Sequence, residues 1–400
     1  MTKVNNDPVK IKQLLTRNVE QVFVAKHLKN RLLKGERLRV KLGFDPTGPK
    51  LHLGRAVTLW KLREFQELGH QIVLIIGDFT ALVGDPSDKL AKRPLLTVDQ
   101  VRTNLKDYKK QLGLILDLNQ VEWRYNSEWL QAMTFMEVAR LAESFSVQQM
   151  LARRNFKERY SKGVEISLRE FLYPLMQGFD SAAVRSDVEV GGTDQLFNLH
   201  AGRVVQELYK QPPQDIITFS MLEGTDGRKM STSWGNVINI IDSPLEMYGK
   251  VMSLTDKLII KYFQLATQVA DEEIKAIEKS LKQVANPRDS KARLAYEIVA
   301  LYHSVTQARQ VAKEFDLIHR SKETPQHLPK GKIPIGTKSL SVIELLVLLK
   351  LATSKGEARR LLVQGGVKIN KVKVSDWQKI INPKPGMIIQ VGSRRFVELA

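Results

Sequence analysis

The chain has 400 residues, 62 Lys and Arg against 43 Asp and Glu, and a formal net charge of +19. It has no cysteine, which excludes disulfides, thiolate metal sites and cysteine nucleophiles, and fits a reducing cytosol. Its 43% hydrophobic content supports a sizeable core, no apolar run is long enough for a membrane span, and the strong basicity points equally to a polyanionic partner or to the general surface basicity of many soluble proteins. The first thirty residues carry Asp7, Lys10, Lys12 and Glu20 and no apolar signal stretch, so a cytoplasmic protein is expected.

In chain order, residues 39–44 (RVKLGF) read as a strand, and 45–54 (DPTGPKLHLG) as a breaker-rich loop. A helix follows from about Arg55 to Leu68, with Leu59, Leu62, Phe65 and Leu68 at helical spacing and Gly69 as its stop. The continuous apolar run at 71–79 is the signature of a buried parallel strand. Strand, loop, helix and strand make a βαβ unit, and a second apolar strand is expected near 184–191. This alternation predicts an α/β fold: a Rossmann-like, doubly wound parallel sheet that binds a nucleotide.

From about 244 to 320 the periodicity is helical throughout, which predicts an all-α domain. Residues 321–337 contain Pro325, Pro329 and Pro334 and lack apolar periodicity. Beyond them, residues 335–400 hold 12 basic and 4 acidic side chains, a net of +8, as in a small basic module appended to a larger body. The expected domains are 1–234, 235–322 and 338–400, with a linker at 323–337.

Four stretches carry candidate chemistry. The loop from Asp45 and Thr47 to His52, Gly54 and Arg55 joins a strand end to a helix start, where free N–H groups and the dipole favour anions. His52 can donate to a phosphate, although a lone His there serves equally as a cap. Asp85 stands at a second strand end and suits an ammonium group, or an N-cap before Pro86. Lys89, Lys92 and Arg93 follow it, either phosphate clamps or a solvated charge run.

Tyr173, Gln177 and Asp180 lie at i, i+4 and i+7, on one face of an otherwise apolar helix. They either satisfy each other or line a polar ligand. After the next strand come Gly192, Asp194 and Gln195, a turn suited to ribose hydroxyls. The stretch Lys229, Met230, Ser231, Thr232 and Ser233 is basic and hydroxyl-rich, able to close over a triphosphate or to be a surface loop.

Together these residues resemble the class I aminoacyl-tRNA synthetases. FDPTGPKLHLG looks like their first signature and KMSTS like their second. GFDPT, GDPS, YPLMQGFD, GGTDQ and NPRDSKARLA look most like tyrosyl-tRNA synthetases of the bacterial type, over nearly the whole chain. The tail, from SVIELL to NKVKV, resembles an S4 RNA-binding domain. Ser354 and Glu357 suggest a capping box there. Arg359 and Arg360 lie on the helix it opens, which ends at Gly365-Gly366, and two short basic strands follow.

The resemblance implies tyrosine–tRNA ligase activity: tyrosine and ATP give tyrosyl-adenylate and pyrophosphate, and the tyrosyl group then passes to the terminal adenosine of tRNA(Tyr). It implies ATP as substrate, with Mg²⁺ accompanying it, no protein-bound metal, and a homodimer. By residue, Thr47, His52, Lys89, Arg93 and Lys229 would act on the triphosphate. Asp45, His52, Gly54, Gly192, Asp194 and residues 229–233 would bind ATP. Asp85, Tyr173 and Gln177 would hold the substrate ammonium group, Gln195 its carboxylate and Asp180 its phenolic hydroxyl. Lys355, Arg359, Arg360, Lys368 and Lys371 would contact tRNA.

Three positions depart from the pattern. Arg55 replaces the second His of the first signature, Thr232 the second Lys of the other, and Lys41 a tyrosine found in many bacterial members. The nearest alternatives are a tryptophanyl-tRNA synthetase, which shares fold and signatures, and a non-catalytic RNA-binding protein on the same scaffold.

Overall fold

The computed structural model describes residues 4–87, 96–231, 234–283, 286–320, 328–334, 339–392 and 395–399. Lys89, Lys92, Arg93, Thr232, Ser233 and most of the expected linker lie outside the described residues. The chain divides into two units, Met1–Tyr302 and His303–Ala400.

The first unit is built on a six-stranded sheet. Its strands are β1 (Val19–Phe23), β2 (Arg39–Phe44), β3 (Gln71–Ile76), β4 (Val121–Tyr125), β5 (Val188–Gly192) and β6 (Asp215–Phe219). Their order is β1-β6-β5-β2-β3-β4. Five strands are parallel, and β1 joins β6 antiparallel at the edge. Ile72 to Ile76 of β3 are all buried, as a strand covered on both faces requires.

From β2 the chain builds outward through β3 and β4, then returns to the other side for β5 and β6. The strand order therefore reverses between β2 and β5, and the crevice beyond their C-terminal ends is where a doubly wound sheet accepts a ligand. The α/β expectation holds.

One strand boundary differs. The apolar run near 184–191 is shared by two elements: Val184 ends a helix, Arg185 turns the chain in the left-handed conformation, and β5 begins only at Val188. An apolar run cannot by itself mark where a buried helix gives way to a buried strand.

Three helices frame the crevice. Leu53–Glu67 starts directly after the loop that follows β2. Leu168–Val184 opens with a capping box between Ser167 and Glu170, and lies against Leu196–Leu208. Gly178 permits that packing, because a Cβ there would sit 2.9 Å from the Ala201 carbonyl oxygen.

The boundary expected at 234 does not separate compact bodies. Residues 237–240 pair with the loop before Leu53: the Leu53 N–H donates to the Ile238 carbonyl and the Ile240 N–H to the Leu51 carbonyl, both at 2.9 Å. Val237, Ile238 and Ile240 are buried there. The helices Pro244–Met252, Ile259–Ala266, Asp271–Gln283 and Pro287–Tyr302 follow within the same unit, so this stretch is helical as expected. Trp60 Nε1 donates to the Tyr302 hydroxyl at 2.9 Å, tying the last of them to the helix Leu53–Glu67. Helical periodicity marks a change of secondary structure, and the unit boundary is decided by packing.

The second unit begins with the helix Val305–Arg320. Its C-terminal part packs the helices Val342–Leu348 and Lys355–Val363 on a five-stranded sheet around Leu345, Leu346, Leu362, Val367 and Ile389. Lys330–Gly331, inside the expected linker, adds a parallel edge strand to Arg395–Leu399. The basic strands Val367–Ile369 and Val372–Lys373 pair antiparallel. Asn370 and Lys371 both have positive φ, the turn that a two-residue hairpin prefers.

The Ser354 hydroxyl accepts from the Glu357 N–H, but the Glu357 carboxylate reaches back to Thr353, so the expected reciprocal box closes one residue early. No helix among the described residues is long and apolar enough to cross a membrane.

Candidate active site

A cavity of ≈ 290 Å³ opens at the switch point, lined by the C-terminal ends of β2, β3 and β5 and by the helices that follow them. Asp45, Thr47, His52, Gly54, Asp85, Tyr173, Gln177, Asp180, Gly192, Asp194, Gln195, Lys229 and Met230 all face it. Residues spread over nearly 190 positions of sequence thus share one wall.

The deep end is polar and closed. Asp180 is 3% exposed. Its carboxylate accepts from Trp129 Nε1 at 2.8 Å and Asn126 Nδ2 at 3.3 Å. Burial pushes its pKa up to about 7, helped by Glu189 and opposed by Lys41 and the two hydrogen bonds. Tyr173 donates to Asp45 Oδ2 at 3.0 Å, and Asp45 also accepts from the Thr80 hydroxyl at 2.7 Å. Burial, with Asp45 and Asp85 nearby, holds the Tyr173 phenol well above its ordinary range.

Lys41 is fully buried on β2. Its ammonium pairs with Glu189 of β5 at 2.9 Å and donates to Ser181 Oγ at 2.8 Å and the Gln177 carbonyl at 3.2 Å. Gln177 Nε2 donates to Glu189 Oε1 at 3.1 Å, and Ser181 and Gln214 donate to the other oxygen. The Lys41 departure therefore creates a buried pair that orients Gln177. The hydrogen bonds of this lysine go to Glu189, Ser181 and Gln177, whereas those of Asp180 come from Trp129 and Asn126.

Asp85 sits at the side. Its Oδ1 accepts from the Ser87 N–H at 2.9 Å and its Oδ2 from Gln195 Nε2 at 2.8 Å. Behind it Arg153, 8% exposed, donates to Ser87 Oγ at 2.8 Å and Asn198 Oδ1 at 3.2 Å. The guanidinium also stacks over Phe156 and Phe197. Asn198 in turn donates to Gln195 Oε1 at 3.0 Å. One buried cation thus braces both Asp85 and Gln195.

The mouth is basic. His52 lies before Gly54, and its Nδ1 is buried without a hydrogen-bond partner. Burial first, then Arg55 and Lys229, push its pKa down to about 3, so the ring is neutral at physiological pH. A Cβ on Gly54 would come within 3.1 Å of that ring. Lys229 pairs with Asp194 at 3.1 Å across the opening. The Ser231 N–H donates to Asn236 Oδ1 at 2.8 Å.

A family model described as tRNA synthetases class I (W and Y) matches residues 33–320, and one described as a tyrosine–tRNA ligase SYY-like C-terminal domain matches residues 321–390. The tyrosine–tRNA ligase of Thermotoga maritima is 46% identical over 97% of this chain and 96% of that protein. The chain belongs to the tyrosine–tRNA ligases. Tyrosine–tRNA ligase 2 of Clostridium acetobutylicum is 45% identical over 97% of both chains. The structure of Archaeoglobus fulgidus tyrosyl-tRNA synthetase complexed with L-tyrosine has a TM-score of 0.62 at 22% identity, covering 76% of this chain and 100% of that one, a likeness of fold.

Sequence reasoning missed the side chains that support this cavity: Asn126, Trp129, Arg153, Glu189 and Asn198. Asn126 carried a weak signal, a polar residue just past the end of β4. Arg153 and Asn198 carried none, because their partners are remote in sequence. The five basic residues expected to meet tRNA, Lys355, Arg359, Arg360, Lys368 and Lys371, are all exposed in the second unit. Arg359 stacks over Trp377 at 4.2 Å.

Proposed function

We propose that the cavity activates tyrosine with ATP and that the chain then transfers the tyrosyl group to the terminal adenosine of tRNA(Tyr). The observation that carries this reading is the division of one cavity into a buried acidic end and a basic, glycine-lined mouth. Tyrosine fits the deep end. Its phenolic hydroxyl donates to Asp180, whose remaining contacts are already donors. Its ammonium group meets Asp85, Tyr173 and Gln177, and Gln195 lies near its carboxylate.

ATP fits the mouth. Gly54, Gly192 and Asp194 receive the adenosine, with Asp45 behind them. Thr47, neutral His52 and the segment Lys229 to Ser233 receive the phosphates, with Mg²⁺ arriving on the nucleotide. Lys89 and Arg93 complete the phosphate contacts in this reading.

The substrate supplies its own nucleophile. A carboxylate oxygen attacks the α-phosphorus, the bond to the bridging oxygen breaks, and pyrophosphate leaves with the electron pair. The protein's task is positioning and stabilisation of the growing phosphate charge.

Lys355, Arg359, Arg360, Lys368 and Lys371 make a surface suited to RNA phosphates on the second unit. Exposed Phe135, Met136, Val147, Tyr160 and Leu168 lie between residues 135 and 168 and support a homodimer interface there. F135E with L168E is expected to convert a dimer to monomer in light scattering. A cytoplasmic location suits these substrates.

ATP–pyrophosphate exchange with tyrosine, phenylalanine and tryptophan tests the reading. Tyrosine alone should drive it, and His52→Ala should slow adenylate formation more than it weakens tyrosine binding. Exchange driven by tryptophan in place of tyrosine would overturn the assignment.

A further inference from the structure

Arg55 lies in the first turn of the helix Leu53–Glu67, where the helix dipole already presents its positive end. A cation is disfavoured there unless an anion accompanies it. Its guanidinium donates from Nη2 to Thr47 Oγ1 at 3.0 Å, and from Nη1 to the Tyr108 hydroxyl at 3.2 Å and the Asp45 carbonyl at 3.4 Å. Tyr108 is fixed in turn by its bond to the Gly48 carbonyl at 2.8 Å. All three acceptors of Arg55 are neutral, and among the described residues no carboxylate pairs with it. The charge is strong enough to help hold His52 neutral. It lines the same cavity mouth as Thr47, His52 and Lys229.

Position 232 offers a second, independent observation. The sequence there reads KMSTS, so the second lysine of that signature is absent. One signature of this chain thus lacks a cation, and the other carries an additional one.

We propose that Arg55 is a phosphate-contacting catalytic residue that supplies the positive charge missing at Thr232. The inference rests on the reading that the triphosphate lies along Thr47, His52 and Lys229. As the bond from the α-phosphorus to the bridging oxygen breaks, charge grows on the departing pyrophosphate. A guanidinium can meet two of its oxygens with parallel N–H donors. The bond from Arg55 to Thr47 has a further effect. It occupies a lone pair of the threonine hydroxyl, leaving the hydroxyl proton to point at another acceptor, a phosphate oxygen.

Single-turnover adenylate formation by the full-length enzyme tests this with R55H, T232K and the R55H/T232K pair, each beside fluorescence titration of tyrosine. R55H should slow adenylate formation about 10- to 100-fold, the range for one hydrogen bond to a charged group, with tyrosine binding little changed. Adding T232K should restore most of the loss. Retained tyrosine binding shows that a slow variant is folded.

A normal rate for R55H would overturn the proposal, and so would a slow rate that T232K fails to rescue. T47A and H52A separate the underlying reading: full rates in both would mean that the phosphates lie elsewhere. Slow T47A and H52A beside a normal R55H would remove only the role of Arg55.

Discussion

In the reading proposed above, Asp180 sets both affinity and specificity. Its carboxylate is buried and already accepts two protein hydrogen bonds, so a substrate hydroxyl completes it and a bare phenyl ring leaves it short. Its pKa of about 7 makes this acceptor sensitive to pH. Above that value the carboxylate is ionised and accepts from the phenol; below it the group carries its own proton. The kcat/KM for tyrosine in exchange should therefore fall as pH drops through about 7, and D180N should lose that inflection. The folding contribution runs the other way, because a raised carboxyl pKa favours the native state below the ordinary carboxylate range and is lost as pH rises through about 7. D180A should also erode discrimination against phenylalanine, which sites of this kind hold at roughly 10⁴–10⁵.

At the level of elements, the site depends on how strands and helices are pinned together. Lys41 on β2 and Glu189 on β5 form an ion pair across the switch point itself, at 0% and 1% side-chain exposure. Removing one partner strands a buried charge, so K41M should lower unfolding stability by about 3–5 kcal/mol in urea titration. The K41M/E189M double variant should recover part of that loss, and both should raise the KM for tyrosine through Gln177. Gly178 pins the helix Leu168–Val184 to Leu196–Leu208. G178A places a methyl group against backbone that cannot yield, which should cost about 1–3 kcal/mol and displace Gln177 and Asp180 together. The matching observation is a raised KM for tyrosine with the KM for ATP nearly unchanged.

On the scale of the whole molecule, the reading proposed above gives the positive charge two tasks. The mouth of the cavity holds Arg55 and Lys229, and the second unit holds the exposed set from Lys355 to Lys371. Replacing Lys355, Arg359 and Arg360 by alanine should raise the KM for tRNA by about tenfold or more and make charging less salt-sensitive, with the effect on charging and not on exchange. Loss of both activities together would mean that this helix supports the fold.

Much of this architecture was legible in the linear chain, because its signals are local. The apolar run of β3, the breaker-rich loop before His52 and the i, i+4, i+7 spacing of Tyr173, Gln177 and Asp180 each need only a short window. The basic tail needs only a charge count. Those signals determined the α/β class, the two signatures and many of the residues that face the cavity, but not Asn126 or Glu189.

Only the tertiary structure decided what holds those residues in place. Arg153 braces Asp85 through Ser87, 66 positions away in sequence, and Lys41 finds Glu189 across the switch point. Arg55 reads from the sequence as a departure from a pattern. Folded, it is a cation with neutral partners at the mouth of the site. Such pairings are made by strand order and helix packing, which bring together side chains whose sequence neighbours say nothing of one another.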